Sequence, residues 1–167
     1  MDPMKVAGVI VVPCAALLGC APELNWREVR IDEAGIVQMF PCRPLRQQRS
    51  PVVDGKTRPM ALYVCDAGQA SWALSVIDPG DLASVPGAMQ ALADASRANL
   101  GLADRATASA AAGEGYRLQG YSPDGRPVEL SGRVAASGSK VLQWSVIGAR
   151  VPAADADAFV QPARVAR

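Results

Sequence analysis

An apolar stretch near the start of the chain, Val6 to Leu18, constrains most strongly what this sequence can become. Lys5 stands before the stretch, and the pair Gly19-Cys20 follows it directly. A membrane-spanning helix needs about 20 apolar residues, whereas this run is shorter and Pro13 interrupts it. A positive start, a short apolar core and a small residue before a cut are instead typical of an export signal. We therefore predict that residues 1–19 are a signal peptide that is removed.

The tetrapeptide Leu17-Leu18-Gly19-Cys20 resembles the lipobox of bacterial lipoproteins, in which apolar and small residues precede the lipid-carrying cysteine. The resemblance implies that the Cys20 thiol accepts a diacylglyceryl group and that its amine takes a further acyl chain after cleavage. Each buried CH₂ contributes about 0.8 kcal/mol, so two or three chains anchor a protein stably. The alternative is an ordinary signal peptide cut after Ala21, which would leave an unlipidated exported protein.

The rest of the chain is predicted to comprise a lipidated cysteine with a short tether at 20–25 and a single domain at 26–167. The five residues after Cys20 span at most about 17 Å, so the domain would sit close to the bilayer. Ala21 stands where the inner-membrane retention signal of lipoproteins has an aspartate, which favours the outer membrane over the inner one. The expected location is the cell envelope, with the domain facing the periplasm.

Apolar and polar residues alternate along most of this domain, which predicts strands. The predicted strands are Trp26–Ile31, Ile36–Pro41, Lys56–Asp66, Ala70–Ile77, Tyr116–Tyr121, Pro127–Ser137 and Lys140–Val151. A low-complexity stretch at 106–115 predicts a flexible loop or a poorly packed helical turn.

One apolar stripe has helical spacing and predicts a main helix that begins near Ser84, a plausible N-cap, and stops at Gly101. The stripe is formed by Val85, Met89, Leu92, Ser96 and Leu100. A short closing helix is predicted at Ala154–Phe159. The predicted fold class is therefore α+β, an antiparallel sheet of about six strands with a main helix packed on it and a short C-terminal helix.

Two cysteines of the domain, Cys42 and Cys65, flank a strong two-residue hairpin signal at Asp54-Gly55. A turn centred on that signal leaves the cysteines two residues out of register, an offset that a bulge near Pro44 or Pro51 would absorb. Facing cysteines on neighbouring strands are within disulfide range, and an exported compartment permits the bond. We predict a disulfide; the alternative is two independent buried thiols.

Two further segments resemble the PsbP-like α/β sandwich. Phe40-Pro41-Cys42-Arg43-Pro44 is similar to its opening F-P-x-x-P, and Ile147–Arg150 with Asp155–Phe159 is similar to its closing strand and D-A-x-x-F helix. Within that fold, the chain resembles lipoproteins of Gram-negative bacteria that carry a Pro-Cys-Arg/Lys-Pro and a later strand cysteine. The PsbP-like group includes extrinsic proteins that dock on larger assemblies, so the resemblance implies binding and brings no catalytic residues.

Few residues of the sequence suit chemistry. The chain has no histidine, which excludes the histidine-based triads and most zinc sites. Ser137-Gly-Ser-Lys140 matches S-x-x-K but falls in a predicted hairpin turn and lacks its partner motifs. We therefore expect no catalytic residues, no metal and no cofactor. The 17 basic and 16 acidic residues give a net charge of +1. This balance does not indicate a nucleic acid partner, and we expect none.

A cluster of five basic residues is the one feature that indicates a binding surface. The predicted hairpin carries Arg43, Arg46, Arg49, Lys56 and Arg58, with Asp54 as the only acid among them. Such a cluster suits anionic lipid head groups or an acidic envelope protein, each cation contributing about 1 kcal/mol near an anionic surface. The alternative is a solvated edge that blocks aggregation.

These observations lead to three hypotheses. The first is a non-enzymatic envelope lipoprotein that binds or docks to another envelope component. The second is a carrier that holds a lipid-like or other apolar molecule between sheet and helix, in a pocket lined by Met89 and Leu92. The third, an enzyme, is the least favoured because the sequence offers so few acids and bases for catalysis.

Overall fold

The computed structural model of the protein describes residues 23–101, 113–161 and 164–165. The predicted signal peptide, the lipidation site Cys20 and most of the predicted loop at 106–115 lie outside these residues. The end of the predicted tether is described, and it already lies against the domain. The Leu24 side chain packs beside Gly68, and the Asn25 N–H donates to the Pro41 carbonyl oxygen at 2.7 Å.

The described residues form eleven strands and two α-helices. The strands are β1 (Arg27–Ile31), β2 (Ile36–Phe40), β3 (Leu45–Arg49), β4 (Val52–Val53), β5 (Lys56–Thr57), β6 (Met60–Ala67), β7 (Ala70–Ile77), β8 (Gly115–Tyr121), β9 (Pro127–Ser137), β10 (Lys140–Gly148) and β11 (Arg164–Val165). The helices are α1 (Val85–Ala98), which a 3-10 helix at Leu82–Ser84 precedes, and α2 (Ala153–Val160). No helix in this part of the chain has the length and apolarity needed to cross a membrane.

Six strands form one antiparallel sheet, the main sheet, in the order β3, β6, β7, β10, β9, β8. Helix α1 covers part of one face, where its Leu92 packs in a cluster with Ile77 and Val141. Helix α2 lies on the opposite face and buries Phe159 completely. The predicted α+β class, with its six-stranded sheet, main helix and short C-terminal helix, is confirmed.

A second, smaller sheet packs over the same face as α2. Its order is β1, β2, β11, so the strands predicted at 26–31 and 36–41 lie outside the main sheet. Phe40 of β2 meets Phe159 edge to face, with ring centroids 5.1 Å apart, and Phe159 meets Trp72 of β7 at 5.4 Å. Aromatic pairs of this kind contribute about 0.5–1.5 kcal/mol beyond their buried area. They join the small sheet, α2 and the main sheet in one core.

Gln38 of β2 places a polar amide inside this core, where only 3% of the residue is exposed. Its Oε1 accepts a hydrogen bond from Trp144 Nε1 of β10 at 2.9 Å. Its Nε2 donates to the Phe159 carbonyl oxygen of α2 at 2.9 Å. A buried amide that lost these partners would cost about 1–3 kcal/mol for each unsatisfied group. The Gln38 side chain therefore links the small sheet, the main sheet and α2.

Alternation in the sequence does not indicate β3, and it predicts one strand at Lys56–Asp66 where the structure has β5 and β6. Pro59 separates them because it has no N–H for the ladder. Strand β3 is an edge strand with mostly exposed residues, so its sequence LRQQR shows no apolar alternation. The register predicted from Asp54-Gly55 is right, since Val53 pairs with Lys56 and the same register continues in β3 and β6.

The predicted stripe of α1 is buried except at Met89, which is only partly covered, while Ala88 is fully buried. The predicted N-cap makes no side-chain capping bond. Asp81 instead caps the preceding 3-10 helix, where its Oδ1 accepts a hydrogen bond from the Ser84 N–H at 2.7 Å. Gly101 follows the helix with a φ of +67°, the left-handed conformation that glycine adopts without strain.

Cys42 and Cys65 form the predicted disulfide, with their Cα atoms 6.0 Å apart. Cys65 lies in β6, whereas Cys42 lies before β3, which begins only at Leu45. The predicted bulge is therefore not needed, because the two-residue offset falls outside the paired strands. The bond ties the end of the small sheet to the main sheet.

We expect the free energy of unfolding of the double variant Cys42→Ala/Cys65→Ala to be about 3 kcal/mol lower than that of the oxidised protein. The reason is that the disulfide restricts the unfolded chain. Urea denaturation with and without reductant measures the difference. Reduction should weaken the wild-type protein to a similar extent and leave the double variant unchanged. Two thiols that react with an alkylating reagent in unreduced, denatured protein would contradict the disulfide.

Candidate functional site

The five basic residues predicted as one surface are separated by the fold. Arg46 pairs with Tyr63 across the β3–β6 ladder and Arg49 pairs with Met60. Residues three apart on a strand point to opposite faces, so Arg46 lies on the side of the small sheet and Arg49 on the side of α1. Lys56 is exposed on the separate β4–β5 hairpin.

Arg58 does not belong to any surface, because only 8% of it is exposed. Its Nη1 donates to the Pro79 carbonyl oxygen, while Nε and Nη2 are buried without a hydrogen-bond partner in the described residues. Arg58 lies between the end of β5 and Pro59, and its side chain is buried there. The sequence could not indicate this, since a charged side chain between two hairpin strands is normally solvated.

Replacing Arg58 with Met should leave the stability unchanged or raise it by about 1 kcal/mol, because the buried guanidinium lacks partners for two of its nitrogens. The free energy of unfolding, measured by urea denaturation, tests this. Lys56→Met is the matched control at an exposed position and should change stability by less than about 0.5 kcal/mol. A loss of more than about 2 kcal/mol in Arg58→Met would show that the buried charge is well compensated.

A cleft of about 450 Å³ brings two of the predicted residues together with arginines that the sequence analysis did not select. It lies between β1, at the edge of the small sheet, and the start of β3, at the edge of the main sheet. Its lining, which we call the arginine cleft, comprises Arg27, Glu28, Val29, Arg30, Arg43, Pro44, Arg46 and Tyr63. Four arginines and one glutamate therefore line this cleft, although Glu28 and Arg30 lie on the opposite face of β1 from Arg27.

Arg46 is held in place by an acid from the β1–β2 turn. Its guanidinium forms an ion pair with Glu33, whose other carboxylate oxygen accepts a hydrogen bond from the Tyr63 hydroxyl at 2.5 Å. Partial burial acts to raise the pKa of Glu33, but the hydrogen bonds from Tyr63, its own backbone and Arg46 outweigh it and lower that pKa. Burial and the bond to Glu33 raise the pKa of Tyr63 to about 12. At neutral pH the trio therefore consists of an ionised acid, a protonated phenol and a cation.

The other three arginines of the cleft differ in how far their charge is compensated. Arg30 is exposed and forms an ion pair with Asp32 at 2.9 Å. Arg27 is half-buried and its Nε donates to the Asn25 carbonyl oxygen at 3.3 Å. Arg43 is exposed. Within the described part of the chain, neither Arg27 nor Arg43 has an ion pair with an acid.

This arrangement suits the binding of an anion. Guanidinium groups present a planar fork of donors that matches phosphate and carboxylate oxygens. The cleft is open to solvent, so we expect salt to weaken such contacts. Among the described residues no group of three or more acids or cysteines is arranged to hold a metal ion.

Arg27 and Arg30 had only a weak signal in the sequence. They lie in a predicted strand whose residues alternate between core and solvent, so each of them looks like an ordinary polar strand position. What unites them with Arg43 and Arg46 is the packing of the small sheet over the main sheet. That contact joins segments that the sequence shows as two independent hairpins.

The contact between α1 and the main sheet bears on the carrier hypothesis. The Gln143 side-chain amide of β10 donates to Ser96 Oγ at 2.8 Å and to the Leu92 carbonyl oxygen at 3.3 Å. The Ser96 hydroxyl in turn lies 3.1 Å from the Tyr116 hydroxyl of β8. Leu92 itself is 7% exposed and packs directly on the sheet. Around Leu92 and Ser96, α1 is therefore in direct contact with the sheet.

No protein-family model, curated protein or solved structure matches this chain.

Proposed function

We propose that this chain is a lipid-anchored lipoprotein of the cell envelope, held at the membrane through Cys20, whose domain is a non-enzymatic binding module. The arginine cleft would hold an acidic component of the envelope. The observation that carries the proposal is that four arginines line one cleft beside the segment that leads to Cys20.

The lipobox-like Leu17-Leu18-Gly19-Cys20 supports the anchor, and Ala21 favours the outer membrane. The disulfide between Cys42 and Cys65 agrees with an oxidising compartment such as the periplasm. Leu24 is already packed on the domain, so at most about 14 Å of chain separates it from Cys20. The domain would therefore stand next to the membrane.

The chemistry of the cleft supports binding rather than catalysis. Its side chains are guanidinium groups, one carboxylate and the Tyr63 phenol, whose pKa of about 12 keeps it protonated at neutral pH. A general acid or base works best with a pKa near the operating pH. The similarity of Phe40–Pro44 and Asp155–Phe159 to the PsbP-like fold supports docking by analogy of fold alone.

Replacing Cys20 with Ser should abolish labelling by palmitate and leave an uncleaved precursor, because the acyl acceptor is lost. Labelling in growing cells, followed by membrane fractionation, measures both effects. Cys14→Ser is the matched control, since it removes a thiol from the same apolar run, and it should be labelled and processed normally. A Cys20→Ser protein that is still labelled would refute the anchor.

A photoreactive residue at Pro44, in the lining of the cleft, should cross-link the lipoprotein to an envelope component in intact cells. The same group at Gln90, on the exposed side of α1, is the control and should not form that product. Arg43→Gln should weaken the Pro44 product because it removes one guanidinium from the cleft. Identical products from both positions would contradict a binding role for the cleft.

A further inference from the structure

We propose that the arginine cleft binds the phosphate of an anionic phospholipid head group, with Arg27 and Arg43 as the residues that contact it. This inference rests on the proposed function, because it places the cleft at the membrane that carries the anchor. It names one ligand class for a site that would otherwise suit any acidic partner.

The four arginines of the cleft differ in whether an acid compensates their charge. Arg30 and Arg46 are paired with Asp32 and Glu33, so their guanidinium groups are already held by carboxylates. Arg27 is half-buried and Arg43 is exposed, and the described residues supply no ion pair for either. Their guanidinium groups therefore keep donors that no carboxylate occupies and that can form charge-assisted hydrogen bonds with a phosphate. The two uncompensated arginines therefore define where the anion sits.

The second argument is the shape of the site. At about 450 Å³ the cleft falls within the range of small-molecule sites, about 300–1,000 Å³. Val29 and Pro44 give part of the lining an apolar character, which suits the glycerol portion next to a head-group phosphate. An acidic protein segment would instead place several carboxylates over a surface broader than this cleft.

The third argument is the position of Arg43 relative to the anchor. The chain enters the domain where Asn25 bonds to Pro41, and Arg43 follows Cys42, which is joined to Cys65 near the β6–β7 turn. Leu24 lies against Gly68 in that same turn. The cleft is thus at the end of the domain from which the tether leaves. Attraction to a charged surface decays over about 8 Å at physiological salt, so only this end would sense the membrane.

Arg49 and Lys56 serve as an internal comparison. Arg49 pairs with Met60 at the far end of β6, seven residues from Ala67 beside the β6–β7 turn, a span of about 24 Å. Lys56 is exposed on the β4–β5 hairpin. Neutralising these two residues changes the net charge as much as neutralising Arg27 and Arg43, but it leaves the cleft intact.

The test titrates short-chain phosphatidylglycerol, and phosphatidylcholine of the same chain length, into the intact lipoprotein kept in solution by a nonionic detergent. Calorimetry measures the affinity. We expect phosphatidylglycerol to bind and Arg27→Gln/Arg43→Gln to weaken it by roughly tenfold or more. Arg49→Gln/Lys56→Gln should leave the affinity unchanged.

Arg27→Lys/Arg43→Lys separates charge from geometry, because lysine keeps the cation without the planar fork. It should fall between the wild type and the glutamine variant, and thermal unfolding verifies that each variant is folded. No binding of phosphatidylglycerol, or equal losses in both charge-matched glutamine variants, would overturn the proposal. So would inorganic phosphate that binds as tightly, or an acidic peptide that binds where phosphatidylglycerol does not.

The titration does not depend on whether Cys20 is acylated. A failed Cys20 labelling experiment with successful titration would refute the anchor and leave the ligand assignment in place. Normal labelling and cross-linking from Pro44 with a failed titration would refute the phospholipid and leave the binding module in place. The two proposals can therefore be rejected separately.

Discussion

The buried amide of Gln38 is the interaction on which the arrangement of layers depends. It accepts a hydrogen bond from Trp144 in the main sheet and donates one to the Phe159 carbonyl oxygen in α2. In a core that excludes water, an amide can be tolerated only when its partners are in place, so these bonds specify one position of β2 over the main sheet. The position of β2 fixes that of its neighbour β1. The separation of β1 from β3, and hence the arginine cleft, follows from it.

The four arginines of the cleft are not equivalent, because carboxylates neutralise two of them and not the other two. Glu33 and Asp32 lie in the β1–β2 turn and neutralise Arg46 and Arg30 at the side of the cleft. Four guanidinium groups close together would repel one another, and these carboxylates reduce that repulsion. They also hold the side chains they contact, as the Tyr63 hydroxyl does for Glu33. Within the described residues, Arg27 and Arg43 keep a charge that no acid compensates.

Several contacts fix the segment at which the described chain begins. The disulfide joins Cys42 to Cys65, the Asn25 N–H donates to the Pro41 carbonyl oxygen, and Trp26 meets Trp72 edge to face at 5.8 Å. If the chain before this segment is anchored as proposed, these contacts would help to orient the domain relative to the membrane. A flexible exit would let the cleft face any direction and would weaken an interaction with the surface. Rigid packing at this end is therefore consistent with a cleft that works next to the bilayer.

The sequence by itself determined the fold class, the extents of β7 and β9, the main and C-terminal helices and the Cys42–Cys65 pair. Each of these depends on local signals: alternation, helical spacing, turn residues and a hairpin register that proved right. It did not reveal β3, because an edge strand with the sequence LRQQR buries too little to show alternation. Nor did it show that Arg58 is buried, or that Arg27 and Arg30 line one cleft with Arg43 and Arg46. Those facts were decided only by the tertiary structure, because they depend on how the small sheet packs on the main sheet through contacts between distant residues such as Gln38 and Trp144.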